Sequence, residues 1–372
     1  IPGFNLVLSL DIDLQMGVEE ELSRACKGLE PSWASAVVMD PWSGEILAMA
    51  NWPPFDPNEP GESTPFARRN HAILDTFEPG SVLKVAVAAA ALEEGVAGPE
   101  SRFWCGGKWD DPSFGGHPIR CWIYKVARKG HGVLTFKGAI AHSCNIALAK
   151  IAQKLGPVRL RKWFERLGLL SRTGVDFPGE PEGAIEGGWG PRKVVSLGYG
   201  QGIRATLLSV ARVFCAVANG GYLVRPHLAK EMRSASGGVV WRASVRRRRV
   251  LSGRTCEALR EALVEAVERG TGEKAKVEGY VVAGKTGTAD QINPRTGLYD
   301  PALGVASFVG FAPAERPRVV VAVAVASPKG PKWGGEVAAP IFAGIVRRAL
   351  LRLGVPPEAG RLFALRPALG AL

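Results

Sequence analysis

Short apolar runs near both ends of the chain alternate with turn-forming residues, and this pattern predicts β-strands. Residues 34–40 form one apolar run and residues 45–50 a second. The four residues between them have the composition of a tight turn, so the segment predicts a hairpin. Toward the other end of the chain, further strand-like runs occupy residues 280–283, 306–311 and 318–326.

Helical patterns fill the middle of the chain. The first predicted helix, residues 81–94, is Ala-rich, follows a Pro-Gly pair and ends at Gly95. Residues 98–132 are rich in Gly, Trp and Cys and are predicted to be irregular. The other predicted helices are residues 135–156, 158–167, 206–218, 254–269 with Ser252 as its cap, and 338–351.

Strands at both ends and helices between them predict an α+β fold, with one mainly antiparallel sheet built from the two ends and a helical lobe inserted. We expect residues 1–352 to form one domain. Residues 1–60 and 222–352 would form the sheet lobe, residues 61–221 the mostly helical lobe, and residues 353–372 a C-terminal tail. A chain of 372 residues is long enough to bury a substantial core.

Composition narrows the class of protein. With 46% hydrophobic and 22% charged residues the chain is neither disordered nor collagen-like. No apolar run reaches the roughly 18 residues that a membrane helix needs. The net charge of +12 favours anionic partners, and residues 246–249 form a block of four arginines that predicts a solvated loop or, alternatively, an anion-binding patch. Without any RNA-binding or zinc-finger signature, nucleic acid is not an expected partner.

Three short motifs carry candidate chemistry: Ser81-x-x-Lys84, Ser143-x-Asn145 and Lys285-Thr286-Gly287. Taken singly, Ser81 fits a helix cap, Asn145 a polar helix residue and Lys285 a turn lysine. All three motifs in this order are expected by chance in well under about 1% of chains. The combination therefore favours a functional interpretation.

These residue types suit acyl transfer. Ser81 needs a base to become a nucleophile, and Lys84 lies three residues later on the same face of the predicted helix. Lys84 acts as a base only when neutral, which burial and the positive charge of Lys285 would favour. Ser143 is a candidate relay of a proton to a leaving amine, and Asn145 a candidate ligand for a substrate amide.

The third motif predicts the edge of a sheet, where a peptide substrate adds as an extra strand. Gly287 allows close approach of the backbone, and Thr288 is a candidate donor to a carboxylate. Thr286 completes the substrate-binding candidates. We expect the backbone N–H groups of Ser81 and Thr288 to form an oxyanion hole.

The three motifs resemble the signature of penicillin-binding proteins and class A β-lactamases. Further blocks are similar to class B penicillin-binding transpeptidases, and together they extend over nearly the whole chain: residues 40–49, 77–81, 198–202, 218–221, 307–313 and 334–340. The resemblance implies a penicillin-binding/β-lactamase-like serine transferase fold with a five-stranded sheet. The block that contains Gly310-Phe311-Ala312-Pro313 resembles division or sporulation members of the family. The region with Gly130-His131-Gly132 resembles elongation members. We favour a division role.

The resemblance implies a peptidoglycan D,D-transpeptidase that crosslinks stem peptides ending in D-Ala-D-Ala through an acyl-enzyme on Ser81. β-Lactams would acylate the same serine, and a D,D-carboxypeptidase side activity is expected. No cofactor is required for this catalysis. Two alternatives are a β-lactam sensor or scaffold without turnover, and a serine β-lactamase. This chain lacks the Glu-x-x-Leu-Asn pattern that class A β-lactamases use for deacylation, which argues against the second alternative.

The resemblance also implies a place and a partner. The domain would work at the extracytoplasmic face of the bacterial cytoplasmic membrane, in a protein anchored by an N-terminal helix that this chain does not contain. A membrane glycosyltransferase of the wall-synthesis complex would be its partner.

Four candidate metal ligands fall close together in sequence: Cys105, Cys121, His131 and Cys144. Three thiolates and an imidazole suit tetrahedral zinc, although the spacing is not that of a zinc finger. Some class B relatives resemble this arrangement. A Cys105–Cys121 disulfide and free buried thiols are the alternatives. The other three cysteines, Cys26, Cys215 and Cys256, are predicted to lie in the core.

Overall fold

The computed structural model describes residues 3–293 and 295–357. Their strands are β1 Asn5–Leu8, β2 Trp33–Met39, β3 Ile46–Trp52, β4 Thr76–Phe77, β5 Arg102–Cys105, β6 Lys108–Trp109, β7 Ile119–Arg120, β8 Gly132–Thr135, β9 Ala205–Thr206, β10 Tyr222–Val224, β11 Ala229–Arg233, β12 Val239–Arg242, β13 Arg247–Arg249, β14 Ala283–Ile292, β15 Tyr299–Ala312 and β16 Val319–Ala326. Their α-helices are α1 Ile12–Leu29, α2 His71–Leu74, α3 Lys84–Glu93, α4 Trp122–Ala127, α5 Phe136–Ala141, α6 Asn145–Arg166, α7 Pro191–Leu197, α8 Leu207–Ala218, α9 Gly253–Glu268 and α10 Gly334–Arg352.

The main sheet has five antiparallel strands in the order β14-β15-β16-β2-β3. Two strands come from the start of the chain and three from its end, so the predicted sheet from both chain ends is confirmed. Strand β16 lies at the centre and is buried along its whole length. Its run of Val and Ala suits a strand that is covered on both faces.

Helices cover both faces of this sheet. Val321 and Val323 belong to the core that includes α1 and α10, whereas Val320 and Ala322 belong to the core that includes α8. This alternation follows from the two-residue period of a strand. In the helical segment between β3 and β10, eight of the ten residues of the Ala-rich helix α3 are buried. Small side chains let α3 pack closely against α6 and α9.

The predicted continuous helix over residues 135–156 is wrong. Helix α5 ends at Ala141 and α6 begins at Asn145, and Ser143 between them has a positive φ of 53°. The side chain of Cys144 accepts a hydrogen bond from the backbone N–H of Ala147 and so caps the new helix. Helical periodicity continues across the break, which is why the sequence pattern does not reveal it.

Several other predicted elements differ from the structure. The arginine block is not a loop, because Arg247–Arg249 pairs with β10 and the guanidinium groups of Arg247 and Arg249 lie over the ring of Tyr222. The strand predicted at residues 280–283 begins at Ala283. The segment 98–132 contains short strands and α4. The sequence pattern does not predict helices α1, α2 and α7.

The boundaries proposed for the two lobes remain a prediction, and residues 358–372 of the proposed tail lie outside the described residues. Within residues 3–293 and 295–357, no helix is both long enough and apolar enough to span a membrane.

Candidate active site

Ser81 lies in a single 3₁₀ turn, Gly80–Leu83, that leads directly into α3. In a 3₁₀ turn the side chains at positions i and i+3 are aligned, and Lys84 Nζ accordingly lies 3.0 Å from Ser81 Oγ. Residues 78–81, here named the nucleophile turn, pack tightly against neighbouring backbone. A Cβ on Gly80, whose φ is +58°, would lie 2.9 Å from the carbonyl oxygen of Thr288.

Lys84 is completely buried at the centre of the candidate site. Its Nζ lies 3.0 Å from Ser143 Oγ, 2.7 Å from the Ser143 carbonyl oxygen and 2.7 Å from Asn145 Oδ1. Burial lowers the pKa of Lys84 to about 8, although the thiols of Cys121 and Cys144 act in the opposite direction. A substantial neutral fraction of this amine therefore exists near neutral pH, as a base requires.

The break between α5 and α6 brings the second motif to Lys84. Because the chain leaves α5 and restarts at Asn145, the hydroxyl of Ser143 and the amide of Asn145 both reach the same amine. The Nδ2 group of Asn145 donates to the carbonyl of Arg120 at 3.2 Å. Asn145 thus connects Lys84 with strand β7 as well as lining the cleft.

The third motif lies on β14, which is an edge strand of the main sheet as predicted. Lys285 is fully buried and donates to the carbonyl oxygen of Thr286 at 3.2 Å and to its hydroxyl at 3.3 Å. Burial and the nearby Lys84 keep the pKa of Lys285 well below its ordinary value. A Cβ on Gly287 would lie 2.2 Å from Ser307 Oγ, and the hydroxyl of Thr288 accepts from Gly334 N–H at 2.9 Å.

All three motifs border one cleft of about 500 Å³. Ser81, Ser143, Asn145, Thr286 and Thr288 contribute to its walls. Several other side chains line the cleft that were not candidates in the sequence, namely Arg120, Trp122, Arg192, Tyr199, Gln201 and Trp333. The resemblance at residues 198–202 pointed to Tyr199 and Gln201 as a block, but no local pattern indicated the tryptophans. Trp122 and Trp333 contact edge to face, with ring centroids 6.4 Å apart.

The four candidate metal ligands come together beside this cleft. The Nδ1 atom of His131 lies 3.6 Å from Cys105 Sγ and 3.5 Å from Cys121 Sγ, and Cys121 Sγ lies 3.9 Å from Cys144 Sγ. All four ligand atoms lie within 4.8 Å of one another. The six cysteines are all buried and free, so the structure contains no Cys105–Cys121 disulfide, and Cys26, Cys215 and Cys256 lie in the core as predicted.

The spacing within this cluster fits a tetrahedral ion. Zn–S bonds of about 2.3 Å and a Zn–N bond of about 2.05 Å imply edges of about 3.8 Å between sulfurs and about 3.5 Å between sulfur and nitrogen. Hydrogen bonds from Cys105 and Cys144 lower the pKa of the Cys121 thiol, which favours a thiolate. The Nε2 atom of His131 is buried without a hydrogen-bond partner in the described residues.

The fold and the site together define a class of protein. An antiparallel sheet flanked by helices, with Ser-x-x-Lys, Ser-x-Asn and Lys-Thr-Gly meeting in one cleft, is typical of the penicillin-recognising serine enzymes. Residues 34–347 match the family described as "Penicillin binding protein transpeptidase domain". The chain belongs to this family, and the resemblance seen in the sequence is confirmed.

Similar proteins agree with this assignment. The chain is 36% identical to the Bacillus subtilis "Stage V sporulation protein D", covering 97% of this chain and 55% of that protein. It is 32% identical to the Neisseria gonorrhoeae "Probable peptidoglycan D,D-transpeptidase PenA", covering 95% of this chain and 58% of that protein. The chain thus spans little more than half the length of these relatives. Penicillin-binding protein 3 of Mycobacterium tuberculosis, solved with ampicillin, superimposes with a TM-score of 0.86 at 33% identity, covering 96% of this chain and 80% of that one.

Proposed function

We propose that this chain is the catalytic domain of a peptidoglycan D,D-transpeptidase that works through an acyl-enzyme on Ser81. One observation carries the proposal: the buried Nζ of Lys84 lies 3.0 Å from the hydroxyl oxygens of both Ser81 and Ser143. The amine is placed to take the proton of Ser81 while its oxygen attacks the carbonyl carbon of the penultimate D-Ala. Backbone N–H groups of Ser81 and Thr288 would hold the oxyanion.

The second part of the proposed reaction breaks the peptide bond and forms a new one. The C–N bond to the terminal D-Ala breaks, its nitrogen receives a proton through Ser143, and an ester remains on Ser81. An amine of a neighbouring stem peptide then attacks this ester and restores the serine hydroxyl. Water in place of the amine would give the D,D-carboxypeptidase side reaction. The edge strand β14, with Thr286, Gly287 and Thr288, supports binding of the stem peptide as an added strand.

β-Lactams are proposed to acylate Ser81 because their strained amide reacts with the same nucleophile and leaves an ester. A transpeptidase is favoured over a sensor because hydrogen-bond distances connect Ser81, Lys84 and Ser143. A transpeptidase is favoured over a β-lactamase because the Glu-x-x-Leu-Asn pattern is absent from the sequence.

The test is exchange of the terminal D-Ala of a stem peptide for a fluorescent D-amino acid, with penicillin acylation measured beside it. We expect D-Ala release, incorporation of the label and a stable penicillin adduct on Ser81. Acylation without D-Ala release would favour a sensor, and rapid loss of the adduct with hydrolysed penicillin would favour a β-lactamase. Both measurements use the purified chain.

The proposed substrate also suggests a location. Crosslinked stem peptides belong to the wall, so the activity is proposed at the extracytoplasmic face of the bacterial cytoplasmic membrane. A membrane glycosyltransferase would supply the glycan strands, and anchoring by an N-terminal helix in a longer protein is part of the same proposal. The length of the matched relatives supports it, because they extend well beyond the matched segment.

We also propose that Cys105, Cys121, His131 and Cys144 hold a structural zinc ion, in agreement with the tetrahedral spacing described above. Such an ion would fix the segment that carries Trp122 against the second motif, since Cys144 follows Ser143 directly. Trp122 already donates its indole N–H to the carbonyl of His142 at 2.8 Å. The proposed reaction itself needs no metal.

Elemental analysis of the purified chain is expected to find about one zinc per molecule, and Cys121→Ser is expected to lose most of it. Cys256→Ser is the matched control, because Cys256 is also buried but lies outside the cluster. Its zinc content should equal that of the wild type. Folded wild-type protein that contains no zinc after expression in zinc-supplemented medium would exclude the site.

A further inference from the structure

Glu78 is a buried carboxylate on the nucleophile turn, three residues before Ser81, and the reaction described above does not use it. Its exposed fraction is 5%. A carboxylate removed from water in this way is stable only when its oxygens accept hydrogen bonds. Its hydrogen-bond partners Gly202, Gln291 and Tyr299 come from distant segments of the chain.

The carboxylate of Glu78 joins three segments. Its Oε1 atom accepts from the backbone N–H of Gly202 at 2.9 Å. The hydroxyl of Tyr299 donates to Oε1 at 2.9 Å and lies 3.2 Å from Oε2. The backbone N–H of Glu78 donates to Gln291 Oε1 at 3.2 Å. Glu78 thus connects the nucleophile turn with the loop before β9 and with both strands of the β14–β15 hairpin.

The nucleophile turn is otherwise held mainly by backbone packed on backbone. Gly80 N–H donates to the carbonyl of Gly200 at 3.2 Å, and a Cβ on Gly200 would lie 1.8 Å from the Gly80 carbonyl oxygen. On the opposite side, a Cβ on Gly287 would lie 2.8 Å from the carbonyl oxygen of Pro79. Glycine contacts permit close approach but do little to fix a position. The directional bonds of Glu78 supply that constraint together with the hydrogen bond between Gly80 and Gly200.

Burial raises the pKa of Glu78 overall, and the surrounding donors and positive charges offset this effect only in part. The donors that lower the pKa are Gly202 and Tyr299, and the positive charges are those of Lys193 and Arg204. Glu78 does not line the cleft, whereas Gly80 and Ser81 do. It therefore has no direct access to the reacting atoms and acts on them through the turn.

Resting on the proposed acylation of Ser81, we propose that Glu78 is a positioning residue for this step. It holds the nucleophile turn between the Gly202 loop and the β14–β15 hairpin, so that Ser81 Oγ remains 3.0 Å from Lys84 Nζ. A displacement of about 1 Å at a nucleophile costs on the order of 100-fold in rate. Binding of the intact substrate depends less strongly on this distance.

Rapid-mixing kinetics with a fluorescent penicillin separate an effect on acylation from an effect on binding, because they give the acylation rate constant and the noncovalent Kd independently. Glu78→Ala is expected to lower the acylation rate constant about 30-fold with little change in Kd. Tyr299→Phe removes one hydrogen-bond donor to Glu78 and is expected to lower the acylation rate constant about fivefold. Glu78→Gln keeps an oxygen that accepts from Gly202 and Tyr299, and should remain within about threefold of the wild type.

Two matched variants control for loss of stability. Glu180 is similarly buried and accepts backbone N–H bonds from Thr173 and Gly174, and Tyr280 donates its hydroxyl to the carbonyl of Val355. Neither residue lines the cleft. Glu180→Ala and Tyr280→Phe are expected to lower thermal stability while leaving the acylation rate constant of the folded fraction unchanged.

The outcomes are distinct. Wild-type protein that is not acylated at Ser81 would refute the proposed function itself. Normal acylation of Glu78→Ala in a chain whose wild type is acylated would overturn only the role of Glu78. Equal losses in Glu78→Gln and Glu78→Ala would show that the negative charge, and not the accepted hydrogen bonds, is required, and would also overturn the positioning role. If Glu78→Ala does not fold, Tyr299→Phe decides, because an unchanged rate constant there contradicts the positioning role.

Discussion

Ser81→Ala is expected to abolish labelling of the chain by a fluorescent penicillin, with a fall in the acylation rate of at least about 10³-fold. The hydroxyl of Ser81 is the nucleophile in the proposed reaction, and its oxygen lies 3.0 Å from the buried amine of Lys84. Alanine removes the attacking atom while leaving the turn intact. Gel fluorescence and intact-protein mass spectrometry measure the loss, and peptide mapping of the wild type should place the adduct on Ser81.

The matched control for this variant is Ser252→Ala. Ser252 caps α9 by accepting from the backbone N–H of Thr255, and it does not line the cleft. Its loss should cost about 1 kcal/mol of unfolding free energy without affecting labelling. Labelling of Ser81→Ala at the wild-type rate would show that another residue is the nucleophile and would refute the proposed mechanism.

Lys84→Ala is expected to lower the acylation rate about 10³-fold, because the proton of Ser81 then lacks a base. Lys84→Arg should be nearly as impaired, since a guanidinium remains charged at every practical pH. Stopped-flow acylation measures both. Lys150→Ala is the matched control, because Lys150 lies on α6 and donates to the carbonyl of Trp104, outside the cleft.

The same base predicts the pH dependence of acylation. Burial lowers the pKa of Lys84 to about 8, so below this pH the charged form dominates and cannot accept a proton. The acylation rate should therefore rise about tenfold per pH unit up to about pH 8 and level off above it. A rate that stays constant between about pH 6 and pH 9 would assign the base to a different group.

The sequence was sufficient for the origin of the sheet in both chain ends and for the identity of the three motifs. Residues 318–326 were predicted to form a strand, and β16 occupies Val319–Ala326. Ser81 and Lys84 were expected to share a face, and the 3₁₀ turn aligns them. These inferences succeeded because each depends on neighbours within a few positions, where periodicity and turn composition determine conformation.

The break after α5 could not be predicted from neighbouring residues. Residues 135–156 carry an uninterrupted helical pattern, yet the chain turns at Ser143 with a positive φ. The turn is stabilised by contacts with Lys84, which is 59 residues away in sequence. No local preference encodes a contact over that distance. For the same reason the sequence left zinc, disulfide and free thiols open for Cys105 and Cys121, whereas the structure contains no disulfide and places four ligand atoms together.

By itself, the sequence determined the α+β class, the order of the motifs and the family, because these depend on residue types and their spacing. Tertiary structure decided which atoms meet: the amine of Lys84 with the hydroxyls of Ser81 and Ser143, and the carboxylate of Glu78 with Gly202 and Tyr299. Such contacts depend on how the main sheet and the helices around it pack. The packing minimises exposed apolar surface over the whole chain, and no short segment of sequence contains that information.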